Sequence, residues 1–278
     1  MLSFEDRLVS KCRSQRSLLC VGLDPDPNLM AISDIFEFNK TIIDSTSDLV
    51  CAYKPNLAFY EAQGIKGLMA LENTVEYIRS LNSSIIIIGD GKRGDIGSSN
   101  AKYADSLFKV WGFDAATVNG YGGGETLEPF LNYKDKGTFV WCRSSNPGAP
   151  ELQDVEIVQK DSTSKFFEYV SSRAQLWNSA GNLGLVAGAT HPSDLVSIRN
   201  HCPSMPILIP GVGSQSGDLE SSVRLGKSFP EPKLIITASR SIIYASSNRN
   251  DFSVKARSAA FKLRDDINKI LAAENIWV

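Results

Sequence analysis

The sequence predicts an α/β fold in one domain, residues 1–278, built as a closed (β/α)8 barrel. Three observations predict it. Short apolar runs alternate with helix-length amphipathic stretches along the whole chain, and the runs number eight. The turn after the first run also lacks the glycine fingerprint of an open, doubly wound nucleotide-binding sheet.

The strand-like runs are Leu18–Leu23, Leu49–Tyr53, Ile85–Ile88, Ala115–Val118, Thr138–Trp141, Leu183–Ala187, Pro206–Ile209 and Leu234–Thr237. Continuous apolar runs of this length fit strands covered on both faces, as in a parallel sheet. Between them, Phe36–Asp48, Ile65–Leu81, Asn100–Trp111, Glu125–Tyr133, Phe166–Asn178 and His191–His201 repeat apolar residues three or four apart, the helical period. Gly217–Lys227 is less apolar and makes the weakest helix, and Phe252 to Glu274 reads as a long closing helix. An open sheet usually has fewer strands, and here the first turn is Gly22-Leu23-Asp24-Pro25-Asp26-Pro27. The one long irregular stretch, Ser144 to Ser164, contains Asn146-Pro147-Gly148 and Pro150 and reads as an active-site loop.

Composition excludes several classes. With 42% hydrophobic and 22% charged residues the chain is of ordinary globular type. Its net charge of −2 gives no push toward nucleic acid or a membrane surface, so neither is expected as a partner. No apolar segment approaches the ~18 residues of a membrane span, and the charged amino terminus resembles neither a signal peptide nor an anchor. Five cysteines, an odd number without a CxxC pair, suggest reduced and mostly buried thiols in an intracellular, cytoplasmic protein. Only His191 and His201 are available, which leaves histidine metal sites and catalytic triads poorly supplied.

The most informative stretch is Ile85 to Asp95, read IIIIGDGKRGD. A core strand runs straight into Asp90, Lys92 and Asp95. Side chains alternate along a strand, so Asp90 and Lys92 are expected on one side. Burying such charges is costly unless they pair. The spacing alone fits a strand-end salt bridge as well as it fits a catalytic pair.

Active sites of barrels form at the carboxyl ends of the strands. In order, those ends carry Asp24; Lys54-Pro55-Asn56; Asp90, Lys92 and Asp95; Asn119-Gly120; Arg143-Ser144-Ser145; Thr190; Pro210-Gly211-Val212-Gly213-Ser214-Gln215; and Ser239-Arg240. Singly each reads as a cap or loop residue. Together they place carboxylates, lysines, hydroxyls, an amide and an arginine on one face. Gly211, Gly213 and Arg240 fall where barrels commonly hold phosphate, and Ser241 to Ala245 fits the short extra helix of such sites. The bland alternative is a tight turn and a surface ion pair. Gly226-Lys227-Ser228 looks like the tail of a nucleotide P-loop, but Ser221 stands where its first glycine belongs.

Asp90-Gly-Lys92-Arg-Gly-Asp95-Ile96 resembles the DxKxxDI signature of the orotidine 5′-phosphate decarboxylase family. Supporting motifs are VGLDP at Val21–Pro25, AYKPN at Ala52–Asn56, RSSNPG at Arg143–Gly148, GAT at Gly188–Thr190, PGVGSQ at Pro210–Gln215 and ASR at Ala238–Arg240. The resemblance therefore runs from about residue 15 to 245. Its flavour is similar to the subgroup found in many bacteria and, fused to orotate phosphoribosyltransferase, in some protists. Magnesium-dependent sugar-phosphate members of the superfamily share much of DxKxxD but lack a lysine at the position of Lys54.

The resemblance implies a charged network of Lys54, Asp90, Lys92 and Asp95, with Asp95 reaching into a neighbouring subunit of a homodimer. It implies that Asp24 and Lys54 bind ribose hydroxyls, and that Ser145, with Ser144 as close competitor, bonds the pyrimidine. Pro210 belongs to the substrate-binding set, and Gln215 and Arg240 would hold the phosphate. Ser99 stands where the family more often has threonine contributing to the partner's ribose site. The implied reaction turns orotidine 5′-phosphate into uridine 5′-phosphate and CO2, the last step of de novo UMP synthesis. No cofactor and no metal is implied. Flanking carboxylates favour the ammonium form of Lys92, a poor Schiff-base nucleophile but suited to stabilise and protonate a carbanion. The competing readings are a magnesium-dependent sugar-phosphate decarboxylase or aldolase, and a catalytically silent nucleotide sensor. Lys54 counts against the first, and the costly charged cluster against the second.

Overall fold

The computed structural model describes residues 2–82, 84–160, 162–190, 192–212 and 218–276. In chain order its strands are β1 (Leu19–Leu23), β2 (Ala52–Pro55), β3 (Ile86–Arg93), β4 (Ala115–Val118), β5 (Gly137–Arg143), β6 (Glu156–Gln159), β7 (Ser162–Lys165), β8 (Leu183–Ala187), β9 (Ile207–Pro210) and β10 (Leu234–Ala238). All but β6 and β7 pair in parallel and close into an eight-stranded barrel, with β1 joined to both β2 and β10. Every residue of β1, β8 and β10 is buried, because helices cover the outside while side chains fill the inside. The predicted fold class and all eight predicted strands are present, Ala115–Val118 and Leu183–Ala187 with the predicted limits. Among the described residues, no helix is long and apolar enough to cross a membrane.

Three elements differ from expectation. A helix over Phe4–Gln15 precedes the first strand, held at its start by a Ser3–Asp6 capping box. Only Phe4, Leu8, Lys11 and Cys12 of it are buried, a stripe too narrow to announce itself. Phe4 nevertheless packs edge-on against Phe139 and closes the amino-terminal mouth of the barrel. The expected helix Asn100–Trp111 is an α-helix over Gly97–Asp105 followed by a π-helical turn over Ser106–Val110. The irregular stretch after β5 contains a short helix, Pro150–Gln153, and the antiparallel hairpin β6–β7. Gly217–Lys227, the weakest helix, forms over Leu219–Gly226 with Asp218 as its cap.

The foot of the barrel is tied by Asp114, just before β4. Its carboxylate accepts from Arg7 at 2.7 Å, from Arg79 at 2.5 Å and from the Ile87 N–H at 2.9 Å. This second buried charge cluster lies at the end opposite the strand termini singled out above. It joins the first helix, the helix Gly64–Leu81 and β3.

Candidate active site

At the carboxyl ends of the strands a cavity of about 490 Å³ opens between β1, β2, β3, β5, β8, β9 and β10. Asp90 is its organising group. Oδ2 accepts from Lys54 Nζ at 2.5 Å, and Oδ1 accepts from Lys92 Nζ at 2.8 Å and from Thr117 Oγ1 at 2.7 Å. Three adjacent strands thus converge on one carboxylate. Lys54 and Asp90 are buried, whereas the Lys92 side chain is 35% exposed toward the cavity.

The convergence does not come from simple strand alternation. Asp90 pairs with Thr117 and Arg93 with Val118, so β3 bulges between them. Lys92 sits on this bulge with φ 44°, a left-handed conformation costly for a lysine, and its N–H donates to Thr117 Oγ1 at 3.0 Å. Gly89 makes room at the base of the bulge: a Cβ there would lie 2.4 Å from the Phe113 ring.

Burial by itself would raise the Asp90 carboxyl, but the Lys54 and then the Lys92 ammonium outweigh it and hold the group well below the usual carboxylate range. Burial likewise pulls Lys54 down, and Asp90 and Asp24 more than reverse this, so its ammonium persists above the ordinary lysine range. Asp24 goes the other way: burial raises it, with Lys54 only partly opposing. Its Oδ1 is buried without a hydrogen-bond partner on a cavity wall, an arrangement suited to a ligand hydroxyl.

The sequence pattern of the orotidine 5′-phosphate decarboxylase / HUMPS family matches residues 17–252. The chain belongs to this family. It is 42% identical over 278 residues to the orotidine 5′-phosphate decarboxylase of Roseiflexus sp. (strain RS-1), across 98% of this chain and 100% of that protein. It is 45% identical over 276 residues to the one of Thermomicrobium roseum, across 97% and 96% of the two chains. Its fold matches the structure of Leishmania donovani OMP decarboxylase with a TM-score of 0.83 at 36% identity, across 97% and 98% of the two chains.

For this member of the orotidine 5′-phosphate decarboxylase family, Asp24, Lys54, Asp90, Lys92, Ser145, Pro210 and Arg240 all line the one cavity, and so does Ser144. Gln215 lies outside the described residues. Asp95 and Ser99 are not on the cavity wall of their own chain. Asp95 is exposed past the end of β3, where its carboxylate accepts the Ile96 N–H at 2.6 Å. Among the described residues no ion pair joins it to Lys54 or Lys92. Arg143 is turned to other work, bonded to Asp194 and paired with Asp154.

Three groups escaped the sequence reading: Trp141 and Tyr244 on the cavity wall, and Thr117 buried behind it. Thr117 lies within an apolar run, where a threonine reads as an ordinary β-branched strand residue; only its register opposite Asp90 gives it away. Trp141 places its ring 5.9 Å from Lys92 Nζ and is the one exposed residue of β5. The Tyr244 hydroxyl donates to the Asp24 carbonyl at 2.6 Å and accepts the Asp26 N–H at 2.6 Å, fixing the loop after β1.

Proposed function

We propose that the chain decarboxylates orotidine 5′-phosphate to uridine 5′-phosphate with its own side chains and no cofactor, closing de novo UMP synthesis. The observation that carries this reading is the pair of ammonium groups on Asp90, with Lys92 directed at the cavity and Lys54 buried behind it. Arg240 and Gln215 bind the phosphate, Asp24 and Lys54 the ribose hydroxyls, and Ser145 the pyrimidine, with Pro210 on the wall of the substrate cavity. The substrate carboxylate lies beside Asp90. When its bond to C6 breaks, the electron pair stays on C6 as a vinylic carbanion next to the Lys92 ammonium. Lys92 stabilises that charge, gives its proton to C6, and is reprotonated from solvent. Lys54 holds Asp90 in place while this happens. Repulsion between Asp90 and the departing carboxylate adds to the driving force. The phosphate is remote from the breaking bond, and its binding energy goes into closing the loops and ordering the charged network.

The site is completed in a homodimer, Asp95 and Ser99 being lent to the partner's cavity. Supporting this, Asp95 projects from the rim without an ionic partner in its own chain among the described residues, and the adjacent Ile96 is 67% exposed. A cytoplasmic location accords with a pathway using soluble nucleotides.

A magnesium-dependent sugar-phosphate reaction is disfavoured by the contact between Lys54 and Asp90, since that ammonium occupies the carboxylate oxygen a divalent cation would take. The test is the loss of orotidylate absorbance over chelator-treated protein. Undiminished turnover is expected. Turnover abolished by EDTA and restored by magnesium would contradict the metal-free mechanism, and no turnover at all would overturn the proposal.

A further inference from the structure

Arg143 ends β5 immediately before the two serines at the cavity, yet the residue is only 2% exposed and its guanidinium meets two carboxylates. Nε donates to Asp194 Oδ2 at 2.8 Å. Nη1 lies 2.8 Å from Asp154 Oδ1, off the line of its N–H bonds, so this contact is an ion pair without a hydrogen bond. The guanidinium also stacks 4.8 Å from the centre of the Phe167 ring. One residue on, the Ser144 N–H donates to Gln153 Oε1 at 2.8 Å. Contacts 143 to 154 and 144 to 153 therefore close residues 145–152 into a ring. From the other side, Gly188 at the end of β8 abuts Ser145: a Cβ there would stand 2.7 Å from Ser145 Cβ and 2.8 Å from its backbone nitrogen. The Gly188 N–H in turn donates to the Arg143 carbonyl at 2.9 Å.

We propose that Arg143 and Gln153 are positioning residues that set the Ser144–Ser145 segment against the base of the bound nucleotide, without touching the sugar or phosphate. The inference rests on the reading of Ser145 as the pyrimidine contact. Asp194 and Asp154 anchor the arginine, the arginine anchors the end of β5, and Gln153 fixes the first peptide beyond it. Phosphate and ribose are served from other walls, by Arg240, Asp24 and Lys54. A fault in the clamp should therefore be felt by the base alone.

Two ligands separate these parts: uridine 5′-phosphate, which carries the base, and ribose 5-phosphate, which does not. Each is to be titrated as an inhibitor of wild type, Gln153→Ala, Gln153→Glu and Asp194→Asn. Losing one positioning bond in Gln153→Ala, or the charge that anchors the arginine in Asp194→Asn, should weaken uridine 5′-phosphate by about tenfold. KM for orotidylate should rise in parallel, and ribose 5-phosphate should stay within about twofold. Gln153→Glu keeps the acceptor and should restore uridine 5′-phosphate binding to within about threefold of wild type. Equal losses for both ligands, or no loss for either, in an enzyme whose wild type turns over orotidylate, would overturn this inference and leave the function standing. A wild type without turnover would remove the base contact and the inference with it. If Asp194→Asn fails to fold, the two Gln153 variants decide alone.

Discussion

The Thr117 hydroxyl donates to Asp90 Oδ1 at 2.7 Å while accepting the Lys92 backbone N–H at 3.0 Å. One side chain on β4 thus holds both the carboxylate and the bulge that carries the lysine. Thr117→Val should lower kcat by about 10- to 100-fold, the loss of one or two buried hydrogen bonds, with KM little changed. Thr117→Ser keeps the hydroxyl and should retain most of the activity. Steady-state kinetics on the two variants check this; activity kept in Thr117→Val and lost in Thr117→Ser would mean that the methyl group, not the hydroxyl, matters.

Asp90→Asn should leave two ammonium groups on a neutral amide, one of them buried. We expect it to abolish turnover and to cost about 3–5 kcal/mol of stability. The pH dependence follows from the shifts. The folded pKa of Asp90 is depressed, so its contribution is present above the unfolded carboxylate value and lost as pH falls through the folded one. The folded pKa of Lys54 is raised, so its contribution is complete below the unfolded lysine value and lost as pH rises through the folded one. Urea unfolding should therefore give a wild-type advantage over Asp90→Asn that is flat from about pH 5 to 9 and shrinks outside about pH 4 and 10.5. A slope near neutrality would contradict the assignment.

Asp24 should show a trade of stability for binding. Its carboxyl is raised by burial, so keeping it ionised at neutral pH works against the fold, and that cost appears as pH rises through its folded pKa. Asp24→Asn should accordingly melt higher than wild type at pH 7 while losing kcat/KM for orotidylate. Calorimetry and kinetics on the same preparation test both halves. A variant less stable than wild type would show that the Asp24 carboxylate is supported in a way its partnerless Oδ1 does not suggest.

Shared sites make a further prediction. Asp95→Ala and Lys92→Ala homodimers should each be inactive, and mixed dimers should carry one site free of both changes. Random mixing makes about half the dimers mixed, with one sound site of two, so about a quarter of wild-type activity should return. No return in heterodimers demonstrated by mass would mean that Asp95 serves its own chain.

The barrel was legible because strands covered on both faces keep continuous apolar runs, as Ala115–Val118 and Leu183–Ala187 show. Asp24, Lys54, Asp90, Lys92 and Arg240 were legible for a related reason: charges at the ends of such runs need a purpose. The first helix was not, because Phe4, Leu8 and Cys12 are its only apolar buried positions. Nor was the hairpin β6–β7, whose residues are almost all exposed and therefore show no strand alternation. The bulge at Lys92 and the part of Thr117 depend on register between strands, which no single run encodes. The clamp at Arg143 was not legible either, since a strand-end arginine shows its purpose only once its carboxylates are located.

The central claim is that Lys92 supplies the charge and the proton at C6. It is tested most directly by the turnover of chelator-treated Lys92→Ala at saturating orotidylate beside wild type, with both proteins shown to melt alike. Wild type should be active and the variant slower by at least about 10³-fold. A variant that turns over at the wild-type rate would contradict the claim.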